Sequence, residues 1–448
     1  KNLNFLSILS NFVAYYFLLR TIKKHNLKDV PLFKNQLLVW AQQFDDVVWL
    51  DSNNYAQNYS SYDAVLAVDA FTSIRTDFLQ GFEKLKEYQT YAKDWIFGYL
   101  AYDLKNDIEV LKSENNDGLG FPDLCFFQPK RLFLIKGDTV EIQYLNGVSD
   151  KIGDDLHAIE FGVEAARGMV HNDVKIKLRI HKDDYFEKVE HMLQRIHKGD
   201  IYEANFCQEF YAENVEIQPL EVYKKLNAIS KPPFATFIKI GDKFVLSASP
   251  ERYLKKDGNK IISQPIKGTA KRSKNIDEDN ALKNDLSLDE KERSENIMIV
   301  DLVRNDLSKT ATKGSVKVEE LCQVYSFPQV HQMISTISSE IPLKTHPVDV
   351  IASTFPMGSM TGAPKISAMK IIEDLEETKR GVYSGAVGYF KPNGDFDFNV
   401  VIRSILYNKA KKYVSFSVGS AITAKSDPFK EYEECLIKAK AMREVLGG

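Results

Sequence analysis

The sequence predicts an α+β protein built on antiparallel sheet. Three observations carry that expectation. Short β-branched and aromatic runs recur along the chain, several joined by Gly-containing turns such as those at Gly241 and Gly258. Single amphipathic helices interrupt these runs without regular βαβ alternation. The chain has 448 residues, of which 44% are hydrophobic and 27% charged, so it can bury a large core.

From the N-terminus, Phe5 to Leu19 is apolar apart from Ser7, Ser10 and Asn11, and Arg20, Lys23 and Lys24 follow. The run is shorter than the about 20 residues a membrane span needs. Its positive charges follow it and no small-residue cleavage pattern succeeds it, unlike a signal peptide. It is expected to pack as a helix or strand. Leu37 to Phe44 reads as a short helix and Val47 to Ser52 as a strand ending in a polar turn. Ala64–Val68, Trp95–Tyr102, Arg131–Ile135 and Val140–Tyr144 read as strands, with Phe78–Tyr91 a helix among them. Glu114 to Gly120 is a loop by composition. Asp150 to Asn172 is polar and ambiguous, and a soft boundary falls there.

Tyr185, Val189, Met192 and Ile196 recur at helical spacing, so Asp183–Lys198 is a helix that Gly199 ends. Ile201–Tyr211 is a strand and Pro219–Ile229 a helix. Phe234–Ile240, Lys243–Ser249 and Lys260–Ile266 form a meander that runs into a turn carrying Lys267. Leu288–Leu307 is a long helix; Val348–Phe355 and Ala363–Glu376 are shorter ones. Gly381–Phe390, Phe396–Leu406 and Tyr413–Val418 are strands, and Asp427–Val445 is a closing helix.

A net charge of −3 argues against nucleic acid or an anionic membrane as the main partner. Cys125, Cys207, Cys322 and Cys435 are scattered without a CxxC pair, which points to a reduced, cytoplasmic protein without a structural zinc site.

Several residue groups carry chemistry, each with a bland alternative. Glu292 and Glu295, and Glu431 and Glu434, stand at i, i+3 on two helices, so each pair shares a helix face. If the two helices meet, four acids need a cation, and Mg²⁺ suits oxygen ligands; exposed acid pairs are otherwise common. Glu251 lies at a strand end, placed for acid–base work or for an ion pair with Arg252. Gly358 to Lys365 resembles a phosphate loop superficially, but its second Gly comes one residue early for a Walker A. Arg403 sits in an apolar strand and needs a partner, either a substrate carboxylate or a structural acid. Gly419 and Ser420 end the next strand where backbone can approach a ligand, and Tyr383 opens the strand before. Lys267 is either a solvated charge or a placed amine.

Together these segments resemble the chorismate-utilising enzymes, which include the anthranilate, aminodeoxychorismate, isochorismate and salicylate synthases. The matching segments run in order from Gly199 to Lys438: GDIYEANF, SPER, QPIKGT, ERSENIMIVDLVRND, FPMGSMTGAPK, YSGAVGY, NVVIRS, VGSAIT and EYEECLIK. The resemblance implies large antiparallel sheets packed as a sandwich with helices on the outside. It implies an N-terminal strand-rich region, 1–170, intertwined with a chorismate-binding catalytic region, 171–448. Trp49 to Ser52 sits where relatives have a tryptophan-binding segment.

The resemblance also lends roles. Glu295 and Glu434 match Mg²⁺ ligands, supported by Glu292 and Glu431. Arg403 and Tyr383 match the clamp for the pyruvyl carboxylate of chorismate, with Gly419 and Ser420 beside them. Thr361 and Lys438 match pocket residues, and Glu251 matches the general acid for the departing C4 hydroxyl. Lys267 stands where the aminodeoxychorismate synthases carry lysine and anthranilate synthases usually carry alanine. It is therefore expected to attack C2 before ammonia enters at C4, with its pKa lowered by a dry or cationic setting. The alternative is amination at C2 with loss of pyruvate. Water-using relatives carry a lysine base at the position of Glu203, so hydration is disfavoured. The usual family His aligns with Gln332, one residue after His331, so His331 receives no catalytic role. No cysteine lies in a G-x-C-x-G setting, so a separate glutamine amidotransferase subunit is implied, and no lyase segment is expected after Gly448.

Overall fold

The computed structural model describes residues 19–55, 59–162, 174–327 and 330–447. The N-terminal apolar run, apart from Leu19, lies outside the described residues, as does 163–172 of the ambiguous region.

Twenty strands join into one continuous sheet, and every ladder among the described residues is antiparallel. Two long strands, Ala64–Thr76 and Leu124–Lys136, carry the sheet from one half into the other, with a register irregularity between Ala70 and Thr72. Ala64–Val68 pairs with Asp46–Asp51, which pairs with Phe234–Ile240. That half continues through Lys243–Ser249, Ser404–Asn408 and Tyr413–Thr423 to Glu203–Ala212. At the other end, Leu124–Phe127 pairs with Ile96–Leu100, and the second half runs through Ala386–Phe390, Phe396–Val400, Arg252–Asp257 and Lys260–Gln264 to Val330–Glu340.

Alternation along the strands sorts the core into two layers. Trp49, Leu66, Phe237, Leu246 and Phe416 face one way, onto helices Lys182–His197, Pro219–Ser230 and Pro428–Leu446. Their neighbours Val48, Val65, Ile238 and Val245 face the other way. They join a cluster with Phe97, Phe126, Leu254 and Val387 of the second half, and with helices Gly81–Ala92, Glu290–Ser308 and Pro347–Thr354. The architecture is the expected one: sheet against sheet, helices outside. Among the described residues no helix is long and apolar enough to cross a membrane.

The strand pair that matters most for the site is Glu203–Ala212 with Tyr413–Thr423. Phe210 and Phe416 are register partners whose rings stack 5.1 Å apart. A one-residue slip would turn every side chain of either strand to the wrong face, so this stack helps hold Gly419 opposite Cys207 and Ser420 opposite Phe206.

Some elements depart from expectation. The first helix is Val30–Trp40, opened by an Asp29 cap and Pro31, and a 3-10 turn covers Ala41–Gln43. Helix Ile276–Leu288 and strands Arg20–Asn26, Lys317–Ser326 and Val330–Glu340 went unread. Lys317–Ser326 is an edge strand whose only fully buried residue is Cys322, and Val330–Glu340 buries Ser335, Thr336, Ser338 and Ser339 in place of apolar residues. Neither shows period-two hydrophobicity. The expected strand Phe396–Leu406 is two strands, Phe396–Val400 and Ser404–Asn408, and Arg403 stands in the break at φ +51°. Tyr383 lies in a turn before Ala386–Phe390, and Gly419 and Ser420 lie inside a strand instead of ending one.

Candidate active site

Helix Glu290–Ser308 supplies the first acid pair. Asp289 caps it by accepting from the Glu292 backbone N–H at 2.9 Å, which fixes where the helix starts and so which face Glu292 and Glu295 share. Asn296, 1% exposed, docks that face onto the sheet by donating to the carbonyls of Lys267 and Met333, both at 3.4 Å. The Ser335 hydroxyl donates to its side-chain oxygen.

Lys267 is the second residue of strand Ile266–Lys271, not a turn residue. Ile266 pairs with Ile334 and Thr269 with Gln332, three steps against two, so Lys267-Gly268 holds one extra residue. This is a β-bulge, a device that re-aims a side chain. Gly268 sits at φ +93°, and a Cβ there would lie 3.2 Å from both Glu292 Oε2 and the Met333 Cβ. The bulge brings Lys267 Nζ to 3.7 Å from Glu295 Oε2. Burial alone would depress the lysine pKa, but the carboxylates of Glu203, Glu295, Glu434 and Glu292 outweigh it, and the pKa rises. That corrects the expectation of a lowered value, because acids surround the amine, not cations.

Glu251 occupies the gap between Lys243–Ser249 and Arg252–Asp257. It is 5% exposed, and its backbone carbonyl is held by the Val400 N–H at 3.1 Å. Ser359 Oγ donates to Glu251 Oε1 at 2.6 Å. Burial lifts the carboxyl to about 7, against the Ser359 hydrogen bond and the charges of Lys267 and Arg403. Arg252 is not its partner: that guanidinium pairs with Asp397 at 3.0 Å and lies over Phe234.

The second acid pair comes from helix Pro428–Leu446, capped by Asp427. Glu434 pairs with Lys438 at 2.6 Å, and Lys438 also donates to the Gly419 carbonyl at 2.9 Å. Burial pushes Glu434 up, but Lys438, Lys267 and Lys291 bring it below its usual value. Glu431, 3% exposed, is raised by burial against hydrogen bonds from Ser426 and Ser420. Glu292 is raised by burial and by Glu295. Lys291 stands 3.8 Å from Glu295 Oε1 and feels all four helix acids, so the two pairs do meet.

The donor set fits a hard cation. Among the described residues Glu203, Glu251, Glu292, Glu295, Glu431 and Glu434 face Lys267, Lys291, Lys438 and Arg403, an excess of acids that a divalent ion would offset. Glu203 makes the same point alone: it is 2% exposed and, among the described residues, its Oε2 has no hydrogen-bond partner. The acids are not drawn into a tight cage. Among the described residues no three His, Cys, Asp or Glu side chains stand close enough to chelate an ion as they are, and the lysines take the place of the cation.

Arg403 projects from the strand break, and burial disfavours its charge while Glu251 favours it. Among the described residues nothing hydrogen-bonds its guanidinium, so it is open to an incoming carboxylate. The Tyr383 hydroxyl lies 3.7 Å from Cys207 Sγ, with Arg380 and Glu376 as its charged neighbours. A Cβ at Gly419 would lie 2.5 Å from that sulfur, so no larger residue fits there. Ser420 Oγ is 3.4 Å from the Tyr185 hydroxyl. The Thr361 hydroxyl donates to the carbonyls of Met357 and Gly358, and its own backbone N–H and carbonyl bond Gly358 and Asn205, so Thr361 is held within the fold.

Other sequence features resolve structurally. Lys365 is engaged within the fold: it pairs with Asp306 and donates to the carbonyls of Thr354 and Pro356 at 3.1 and 2.9 Å. His331 is buried between Ser326 and Asp279, at 2.9 and 3.1 Å. Leu50, Asp51 and Ser52 border a separate cleft with Phe234, Tyr389 and Asn399. Sequence reasoning missed Asn296, Lys291 and Ser359, and it used Glu203 only to argue against hydration.

Over residues 45–444 the chain matches the chorismate binding enzyme family. A probable chloroplastic aminodeoxychorismate synthase of Oryza sativa is 34% identical over 78% of this chain, which spans only 43% of that relative's length. Aminodeoxychorismate synthase component 1 of Bacillus subtilis is 32% identical over 78% of this chain and 76% of its own. The crystal structure of anthranilate synthase component I from Streptococcus pneumoniae superposes with a TM-score of 0.74 at 25% identity, covering 87% of this chain and 94% of that one.

Proposed function

The chain belongs to the chorismate-binding enzymes, and from there we propose that it aminates chorismate at C4. The product would be 4-amino-4-deoxychorismate, a precursor for 4-aminobenzoate and folate, with ammonia from a separate glutamine amidotransferase subunit. The observation that carries this reading is Lys267. The bulge sets its amine among the site acids, within the field of Glu251, while among the described residues nothing hydrogen-bonds the Arg403 guanidinium.

The residues divide the work. Arg403, with Tyr383, would hold one carboxylate of the substrate. Glu295 and Glu434, supported by Glu292 and Glu431, would hold Mg²⁺, which would supply positive charge to offset the surplus of acids and to favour binding of the ring carboxylate. The Lys267 amine, once neutral, forms a bond to C2. The ring double bonds shift to C1–C6 and C4–C5, and the C4 hydroxyl leaves as water with a proton from Glu251. Ammonia then bonds to C4, the double bonds return, and the C2–nitrogen bond to Lys267 breaks. The proton lost by the entering nitrogen returns to Glu251. The sum is chorismate plus ammonia giving the 4-amino compound plus water.

A second reading, amination at C2 with loss of pyruvate, is favoured by the likeness to the Streptococcus pneumoniae enzyme. Incubation with chorismate, Mg²⁺ and an ammonium salt, with the product identified by mass and fluorescence, separates the two. Anthranilate as sole product overturns the first reading.

A further inference from the structure

The loop Phe355–Pro364 is held unusually firmly for a connection between helices. Lys365 straps its start by bonding the carbonyls of Thr354 and Pro356 and pairing with Asp306 of helix Glu290–Ser308. Gly358 lets the 3-10 turn Gly358–Met360 lie against that helix: a Cβ there would sit 3.1 Å from the Leu302 Cβ. On its far side, Gly362–Ala363 pairs with Glu203–Ala204. A loop fixed at both ends presents one side chain to the site, and that side chain is Ser359, with Oγ 2.6 Å from Glu251 Oε1.

Beside Glu251 and Ser359 lies a small cleft, walled also by Ser263, Asp306 and Thr354, with room for about one water. A carboxyl at the start of a strand has two places to go: forward, toward Lys267 and Arg403, or aside into this cleft, toward Asp306. A carboxyl turned aside could not reach the departing hydroxyl.

We propose that Ser359 is the positioning residue of the general acid: its hydroxyl anchors Glu251 Oε1 and so keeps the other carboxyl oxygen facing Lys267 and Arg403, out of the cleft beside it. The inference rests on the acid role given to Glu251 above. Supporting it, the Ser359 hydrogen bond is the strongest influence that favours the ionised carboxylate, ahead of Lys267 and Arg403. Asp306, across the cleft, is itself paired with Lys309 and Lys365. Removing the hydroxyl therefore both frees the side chain and raises its pKa.

The test uses the full chain with chorismate, Mg²⁺ and ammonium, comparing wild type, Ser359→Ala, Ser359→Thr and Glu251→Gln. Ser359→Ala is expected to lower kcat by about tenfold or more, the size of a lost charge-assisted hydrogen bond, with KM for chorismate within about twofold of wild type. Its alkaline limb of kcat should move to higher pH. Ser359→Thr should recover most of the rate and the original limb. Circular dichroism and the melting temperature confirm that each variant folds. If Glu251→Gln is inactive while Ser359→Ala keeps the wild-type kcat and pH profile, the positioning role is wrong. Equal losses in the Ala and Thr variants with an unmoved limb overturn it too, since they mark a merely structural hydroxyl. Wild-type protein that makes no aminated product, or a fully active Glu251→Gln, defeats the acid assignment itself and the inference with it.

Discussion

Lys267 and Glu295 face each other at 3.7 Å across the seam between a strand bulge and the first turns of a helix. Neither position is held by local sequence alone. Gly268 makes the bulge, Asp289 starts the helix, and Asn296 ties the helix to the Lys267 carbonyl. The pair also states the chemical problem of the site: an amine that must be neutral to act as a nucleophile is held among acids that favour its charged form.

Replacing Lys267 by Ala should abolish amination at C4, with a rate loss of more than roughly a thousandfold, as when a nucleophile is deleted elsewhere. The same amine should leave a trace in the wild-type protein. With chorismate present and ammonia withheld, intact-protein mass spectrometry should find an adduct of the substrate less water, absent from Lys267→Ala. Unchanged rate and product in the variant would show that Lys267 is not the nucleophile.

Glu251 gives a pH prediction of definite sign. Its pKa rises from 4.5 in the unfolded chain to about 7 in the fold. Between these values the folded state binds more protons than the unfolded one, so this group makes stability fall as pH rises from 4.5 to 7. Above 7 the full penalty, on the order of 3 kcal/mol, is present. Glu251→Gln should therefore melt higher than wild type at pH 8 and about equally at pH 4.5, while losing activity. The wild-type rate should fall above pH 7 as the acid loses its proton. A variant that gains no stability at pH 8 would show that burial does not raise this carboxyl.

The sequence disclosed the parts more fully than their arrangement. The acid pairs Glu292/Glu295 and Glu431/Glu434 were legible because i, i+3 spacing puts them on one helix face whatever the tertiary context. Glu251 was legible because it follows an apolar strand. The bulge at Lys267 was not: it depends on the register against Val330–Glu340, a strand whose buried face carries serine and threonine and so hides its period. Ser359 was hidden for a related reason. Its place shows only when Lys365, from the next helix, fixes the start of the loop. Arg403 was read as a strand residue because Val400, Val401 and Ile402 before it are apolar; the φ of +51° that breaks the strand leaves no mark in those residues.

The charge surplus predicts how the protein responds to metal. Adding Mg²⁺ should raise the melting temperature, and EDTA should reverse the rise and stop turnover. Glu295→Gln and Glu434→Gln should each weaken Mg²⁺ binding by about tenfold or more, the loss seen even for outer-shell partners of a metal. Titration calorimetry with Mg²⁺ alone reads this without any assay of activity. Affinity unchanged in both variants would place the ion elsewhere or remove it from the account.

Gly268→Ala tests whether the bulge itself does the aiming. A Cβ at this residue meets Glu292 Oε2 and the Met333 Cβ at 3.2 Å, and the φ of +93° strains any other residue. Strain of this kind amounts to about 1–3 kcal/mol. Part of it should appear as a lower melting temperature. The rest should be relieved by flattening the bulge, which moves Lys267 away from Glu295. The variant should then lose kcat by more than tenfold while still binding chorismate through Arg403, so that KM changes little. A variant that is merely less stable, with kcat intact after correction for the folded fraction, would mean that Lys267 reaches the substrate without help from the extra residue.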